Sequence, residues 1–146
     1  MKIGEDMVFE KIDRVAIAVR DLEAARSFFS ELLGIHFDEP LSDEELKMRA
    51  VYSPFGLDLV EATEPNSLID NIIRERGEGI LSLVIKVTDI QKAVKVFEEK
   101  GLRRIREIKA GGLTEIVFHP KGAHGVQIVL AEYTAKHPAT VAALKE

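Results

Sequence analysis

Two stretches of the chain alternate apolar and polar residues with a period of two, and each ends on an aspartate. They are Arg14-Val-Ala-Ile-Ala-Val-Arg-Asp21 and Ser82-Leu-Val-Ile-Lys-Val-Thr-Asp89. Laid over one another, Val15 falls on Leu83, Ile17 on Ile85 and Val19 on Val87. That alternation predicts two strands, each with one apolar face. After each aspartate the period changes to that of a helix. A short carboxylate accepts from the first free N–H groups of a helix, so Asp21 and Asp89 are N-caps by position. The helices expected behind them run from about Leu22 to Leu33 and from about Ile90 to Lys100. Their inner stripes are Ala25, Phe28, Phe29 and Leu32 in the first, and Ile90, Ala93, Val94 and Phe97 in the second. Gly34 and Gly101 stop them, since glycine takes the left-handed C′ position without a Cβ clash.

Three more strands follow each helix. In the first half they are expected at about Ile35–Glu39, Met48–Ser53 and Leu57–Ala62. In the second half they fall at about Arg103–Ile108, Thr114–His119 and Val126–Tyr133. Turn residues join the last two strands of each half, Ser53-Pro54-Phe55-Gly56 in one and Pro120-Lys121-Gly122-Ala123-His124-Gly125 in the other. Agreement of cap, stop glycine and strand-ending proline marks an internal repeat of two βαβββ modules. The modules span 12–63 and 79–133. A linker, 64–78, carries a short helix over Ser67–Arg76, and the whole forms one domain. The tail from Pro138 to Lys145 suits one more short helix.

Composition narrows the class of protein. A chain of 146 residues with 46% hydrophobic and 31% charged residues suits one soluble domain. A net charge of −5 gives no basic footprint for nucleic acid. There is no cysteine, hence no disulfide framework and no thiolate chemistry. No run approaches the ~20 apolar residues of a membrane span, and Met1–Glu10 lacks a signal-like apolar core. A cytoplasmic location is expected.

Several motifs resemble one family. They are Ile12-Asp13-Arg14-Val15, Gly77-Glu78-Gly79-Ile80, Val87-Thr88-Asp89-Ile90, Gly111-Gly112, Phe118-His119-Pro120-Lys121 and Gly125-Val126-Gln127-Ile128. With the paired modules, they are similar to the vicinal oxygen chelate (glyoxalase/bleomycin resistance/dioxygenase) superfamily, and in motif closest to its methylmalonyl-CoA epimerases. The resemblance runs from Ile12 to Glu132. It implies an α+β, glyoxalase-like fold in which the two modules form a curved, mostly antiparallel open barrel with a pocket on its concave side. It also implies a homodimer.

The departures from the family pattern bear most on chemistry. Metal enzymes of the family take ligands from the first and fourth strands of each half, positions that the resemblance places at Arg14, Asp58, Ser82 and Val129. Only Asp58 is a plausible ligand, and a guanidinium does not give up its proton. The expectation is therefore no metal and no other cofactor. The epimerase base would fall on the third strand of the first half. Counting back from Pro54 puts it at Arg49, and the same count from Pro120 reaches Glu115. If alternation holds, Arg14, Arg49, Asp58, Ser82, Glu115 and Val129 share the concave face with Ala16, Ala18 and Val84.

These residues suggest charge replacement. Arg14, held by Asp58, would supply the positive charge a metal would have given. Arg14, Arg49 and Ser82 would bind a small anionic ligand, because guanidinium groups hold carboxylates in bidentate fashion and stabilise enolates. Glu115 and Asp58 would move protons. A plain ion pair filling a redundant cavity is the competing reading. Three functions stay open. The first is a metal-independent isomerase, epimerase or lyase acting on a carboxylate or thioester-like molecule. The second is a binding protein of the resistance type. The third is a metal-dependent epimerase or lactoylglutathione lyase-like enzyme with a shifted site. The histidines, His36, His119, His124 and His137, show no metal-binding spacing. Gly111-Gly112 reads as a turn, Asp43-Glu44-Glu45 as a solvated loop, and Arg103, Arg104 and Arg106 as a charged edge strand.

Overall fold

The computed structural model describes residues 8–110 and 112–134. The chain divides into two compact units, one of Arg14–Leu81 and one combining residues 8–13 with 82–134. The expected helix in the tail and the residue Gly111 lie outside the described residues.

The unit of Arg14–Leu81 contains the second half of β1 (Phe9–Ala18), then α1 (Leu22–Leu33), β2 (Leu41–Asp43), β3 (Met48–Tyr52), β4 (Leu57–Ala62) and α2 (Leu68–Arg76). Its strands lie in the order β2-β3-β4-β1, with β4 parallel to β1 and the other pairs antiparallel. Ile17, Val19, Val51 and Leu59 pack under Leu22, Ala25 and Phe29 of α1, with Phe37 closing the cluster. On the opposite face, Ala18, Ala50 and Val60 pack against Ile69 and Ile73 of α2.

The second unit repeats the plan. It holds β5 (Gly79–Val87) from Ser82 onward, α3 (Ile90–Glu99), β6 (Arg104–Ala110), β7 (Leu113–Phe118) and β8 (Gln127–Glu132). Its order is β5-β8-β7-β6, with β5 parallel to β8. Val87, Ile116, Phe118 and Leu130 pack under Ile90, Ala93 and Val94 of α3, joined by Ile85 and Phe97. Val84, Leu113, Val117, Val129, Ala131 and Tyr133 cover the other face. Each unit is thus a βαβββ module of an α+β, glyoxalase-like fold, as the repeat predicts.

The caps are built as expected. Asp21 Oδ1 accepts from Ala24 N at 3.0 Å and Asp89 Oδ1 from Lys92 N at 3.1 Å. Gly34 takes φ 66°, and its N–H reaches Ser30 O at 2.9 Å. A Cβ at that φ would strain the backbone.

Two expectations need correction. The second strand is not at Ile35–Glu39 but at Leu41–Asp43. Pro40 has no N–H to give a ladder, so regular pairing begins after it; before it, Asp38 N donates to Tyr52 O at 2.8 Å and Arg26 Nη2 to Phe37 O at 3.2 Å. Phe28 and Leu32 do not join the inner stripe of α1 but stand exposed. The buried arc is narrower, and Leu22, Ala25 and Phe29 fill it. Among the described residues, no helix is long and apolar enough to cross a membrane.

Candidate functional site

Strand alternation places the candidate polar residues. In the first unit, Val15, Ile17 and Val19 have the parity of the α1 side, so Arg14, Ala16 and Ala18 belong to the opposite face of β1. Asp58 on β4 is the register partner of Ala16. Ala16 has only a methyl side chain, so Arg14, two residues along the same face, reaches diagonally across it. Arg14 Nη1 donates to Asp58 Oδ2 at 2.8 Å. The two side chains are 2% and 5% exposed. The guanidinium carbon also stands 5.6 Å from the ring centroid of Tyr52, itself the register partner of Asp58. A buried ion pair of this kind is costly to desolvate and survives only with good geometry and further hydrogen bonds.

In the second unit, Ser82 and Glu115 are both buried. Ser82 Oγ accepts from Gln127 Nε2 at 2.7 Å. Glu115 shares its face of β7 with Leu113 and Val117. Its register partner is Ala131, whose other neighbour is Lys86 on β5. Lys86, Ala131 and Glu115 therefore form one row across three strands. Lys86 Nζ pairs with Glu10 Oε2 at 2.9 Å and stands 4.5 Å from the Tyr133 ring centroid.

Arg49 is a correction. It lies on the α1 side of β3, in phase with Val51, not on the face of Arg14. Its Nε donates to Glu61 Oε2 at 2.8 Å, and its Nη2 lies 3.8 Å from Glu23 on α1. The count from the proline fails because the two hairpin connections differ in length. Tyr52 pairs with Asp58 across residues 53–57, whereas Val117 pairs with Val129 across residues 118–128. Register, unlike the proline, makes Ala50 the counterpart of Glu115, since Ala50 pairs with Val60 and Glu115 with Ala131.

Register also uncovers a matching pair that the sequence reading missed. Glu61 Oε1 accepts from Leu22 N at 2.7 Å, and Glu132 Oε1 accepts from Ile90 N at 2.9 Å. Glu61 is the next-to-last residue of β4 and Glu132 the last of β8; each meets the first residue of its module's helix, where the macrodipole favours an anion. Gln127, Lys86 and Tyr52 were missed as site neighbours too. For Gln127 and Lys86, parity with Val129 and Ser82 was the available signal; Tyr52 was hidden by the wrong parity given to Arg49 on the same strand.

The donor set does not suit a divalent ion. The four positions at which the resemblance puts metal ligands hold a guanidinium, a hydroxyl, a valine and one carboxylate. That carboxylate already receives the Arg14 hydrogen bond. Among the described residues, no group of three or more His, Cys, Asp or Glu could hold a metal. His119 serves its turn, its Nδ1 accepting from Lys121 N at 3.0 Å.

Paired βαβββ modules with polar residues on the faces turned from α1 and α3 define the class. The chain belongs to the Glyoxalase/Bleomycin resistance protein/Dioxygenase superfamily, whose family model matches residues 11–130. Within it, the chain is similar to methylmalonyl-CoA epimerases. It is 31% identical to the mitochondrial enzyme of Bos taurus, over 84% of this chain and 74% of that protein. With the Homo sapiens enzyme it shares 29% identity over 84% of this chain and 73% of the other. Among solved structures, a Streptomyces coelicolor methylmalonyl-CoA epimerase in complex with 2-nitronate-propionyl-CoA matches with a TM-score of 0.77 at 25% identity. That match covers 87% of this chain and 99% of that one. The Mycobacterium tuberculosis enzyme matches in fold with a TM-score of 0.79 at 24% identity, covering 93% and 95%.

Proposed function

We propose that this protein is an epimerase-type isomerase for a small anionic carboxylate or thioester, and that it works without a divalent ion. The observation that carries this reading is the buried Arg14–Asp58 pair at 2.8 Å, in a chain whose relatives are named as epimerases of an acyl thioester. Removing a proton next to a thioester carbonyl leaves an enolate. Its charge needs a fixed positive partner in a dry site. Arg14, always protonated, supplies that charge, and Asp58 keeps the guanidinium in place. Ser82 contributes a hydroxyl to ligand binding. Glu115 and Asp58 are the candidate proton carriers. Arg49, tied to Glu61 on the α1 side, has no part in this scheme. A cytoplasmic homodimer is the form in which the protein is expected to act.

The test is solvent exchange. Methylmalonyl-CoA incubated with the protein in heavy water should gain deuterium at the carbon between its carbonyl groups, faster than in a protein-free control and at the same rate with a chelator present. Arg14→Met should slow exchange by about 10²–10³-fold, the usual cost of losing one group that stabilises developing charge. Glu115→Gln and Asp58→Asn identify the proton carrier, with losses of about 10²–10⁴-fold where the residue transfers the proton. Tight binding without exchange would make this a binding protein. Exchange that stops with chelator and returns with added cobalt would overturn the metal-independent mechanism.

A further inference from the structure

We infer that the outer face of α1 is a self-complementary surface on which a second copy of this chain docks about a twofold axis. This surface lies within the unit of Arg14–Leu81, on the helix side of its sheet, and takes no part in the reaction proposed above. The apolar spacing of α1 predicts four inner residues, yet Phe28 and Leu32 are 58% and 63% exposed. With Ala24, also exposed, they form a row at i, i+4 and i+8. Beside that row runs a cleft of about 430 Å³, lined by Ile17, Val19, Ala24, Ala25, Phe28 and Phe29. Phe28 stands edge-on to Phe29, with ring centroids 5.1 Å apart. Exposed apolar faces with an aromatic residue at their centre mark protein contacts.

Shape selects the occupant. Rows of side chains at i, i+4 and i+8 are the ridges by which helices most often interlock, crossing at about −50°. A twofold contact demands ridge and groove on one surface, because both copies present the same patch. The outer face of α1 has both. Phe28 projects, and Ala24, one turn earlier, leaves a gap beside the cleft. Two copies running in opposite directions and crossing at the level of Arg26 set Phe28 of each against Ala24 of the other.

Charge agrees with that arrangement. Arg20, with 63% of its side chain exposed, stands at one end of the cleft beside Glu78. Glu31 is exposed toward the other end of the row. Glu31 lies five residues beyond the crossing and Arg20 six before it. A reversed copy therefore brings unlike charges together at both ends, which fixes direction and partner. Two copies running the same way would set Glu31 against Glu31. An unrelated protein would need neither the matched gap nor the matched offsets.

The experiment is sedimentation equilibrium of the full chain over a range of concentrations. The parent should be a dimer. Phe28→Glu should raise the dissociation constant about a hundredfold, since the change enters the contact twice. Leu33→Glu is the control. Leu33 is 52% exposed on the same helix but off the row, and its variant should dimerise as the parent does. A monomeric parent overturns the inference, as does equal weakening by both variants or by neither. Cross-linking gives a second readout. The chain has no cysteine, so Ala24→Cys mixed with Phe28→Cys should form mixed disulfide dimers under a mild oxidant. Val96→Cys, at a position 49% exposed on α3, should cross-link with neither. A dimer that cross-links through Val96→Cys instead is joined by another face, and the inference falls. Neither assay reads thioester exchange, so failure of the proposed reaction leaves this result standing, and failure of the contact leaves the exchange test standing.

Discussion

Removing the Asp58 carboxylate should leave the Arg14 guanidinium as a buried charge that has lost its 2.8 Å partner. At 2% and 5% side-chain exposure the pair is not screened by water, so the small values typical of surface pairs do not apply. Breaking a buried pair by deleting one member costs about 3–5 kcal/mol. For a chain near 150 residues, each kcal/mol lowers Tm by roughly 2–4 °C. Asp58→Ala should therefore melt on the order of 10 °C below the parent. The double variant Arg14→Met with Asp58→Leu removes both charges and fills the space with apolar atoms. Such replacements are neutral or stabilising by about 1–4 kcal/mol. Urea unfolding of the parent, Arg14→Met, Asp58→Leu and the double variant closes a thermodynamic cycle, with Asp58→Ala measured beside it. The double variant should be clearly more stable than Asp58→Ala alone. If Asp58→Ala costs under about 1 kcal/mol, or the double variant is the least stable of the four, the pair is not the buried unit described above.

Arg49→Met should cost about 1 kcal/mol or less in urea unfolding and leave thioester exchange unchanged, because Arg49 is one-third exposed and lies on the α1 side. A hundredfold loss of exchange would return it to the site. Glu61→Ala and Glu132→Ala should each cost about 0.5–2 kcal/mol, as loss of a helix-start acceptor does. Hydrogen exchange should quicken at Leu22 in the first variant and at Ile90 in the second; unchanged protection would deny the acceptor role. Excess cobalt or zinc should leave Tm unchanged, since a resident ion at 100 times its Kd would add about 2.7 kcal/mol. A saturable rise in Tm would reveal a metal site.

Much of the fold was legible along the chain because it rests on local rules. The first helix occupies Leu22–Leu33, the range that Asp21 and Gly34 bracket. The inner stripe of α3, Ile90, Ala93, Val94 and Phe97, follows directly from its period. The faces of β1 and β5 follow from alternation, and that parity places Arg14 with Asp58 and Ser82 opposite the helices. Where a local rule met a longer constraint, it failed. Pro40 moved the second strand, and the exposed Phe28 and Leu32 narrowed the stripe of α1.

The sequence by itself determined the repeat, the helices and the parity of β1 and β5, since caps, stops and periodicity act over a few residues. Tertiary structure alone decided which positions stand opposite one another. A pairing register depends on connection length and on the partner strand, and a slip of one residue turns a side chain to the other face. That is why Arg49 went to Glu61 and α1, why Ala50 became the counterpart of Glu115, and why Gln127 met Ser82. The hydrogen bonds of Glu61 and Glu132 to their helices likewise join residues about forty positions apart, which only a folded sheet brings together.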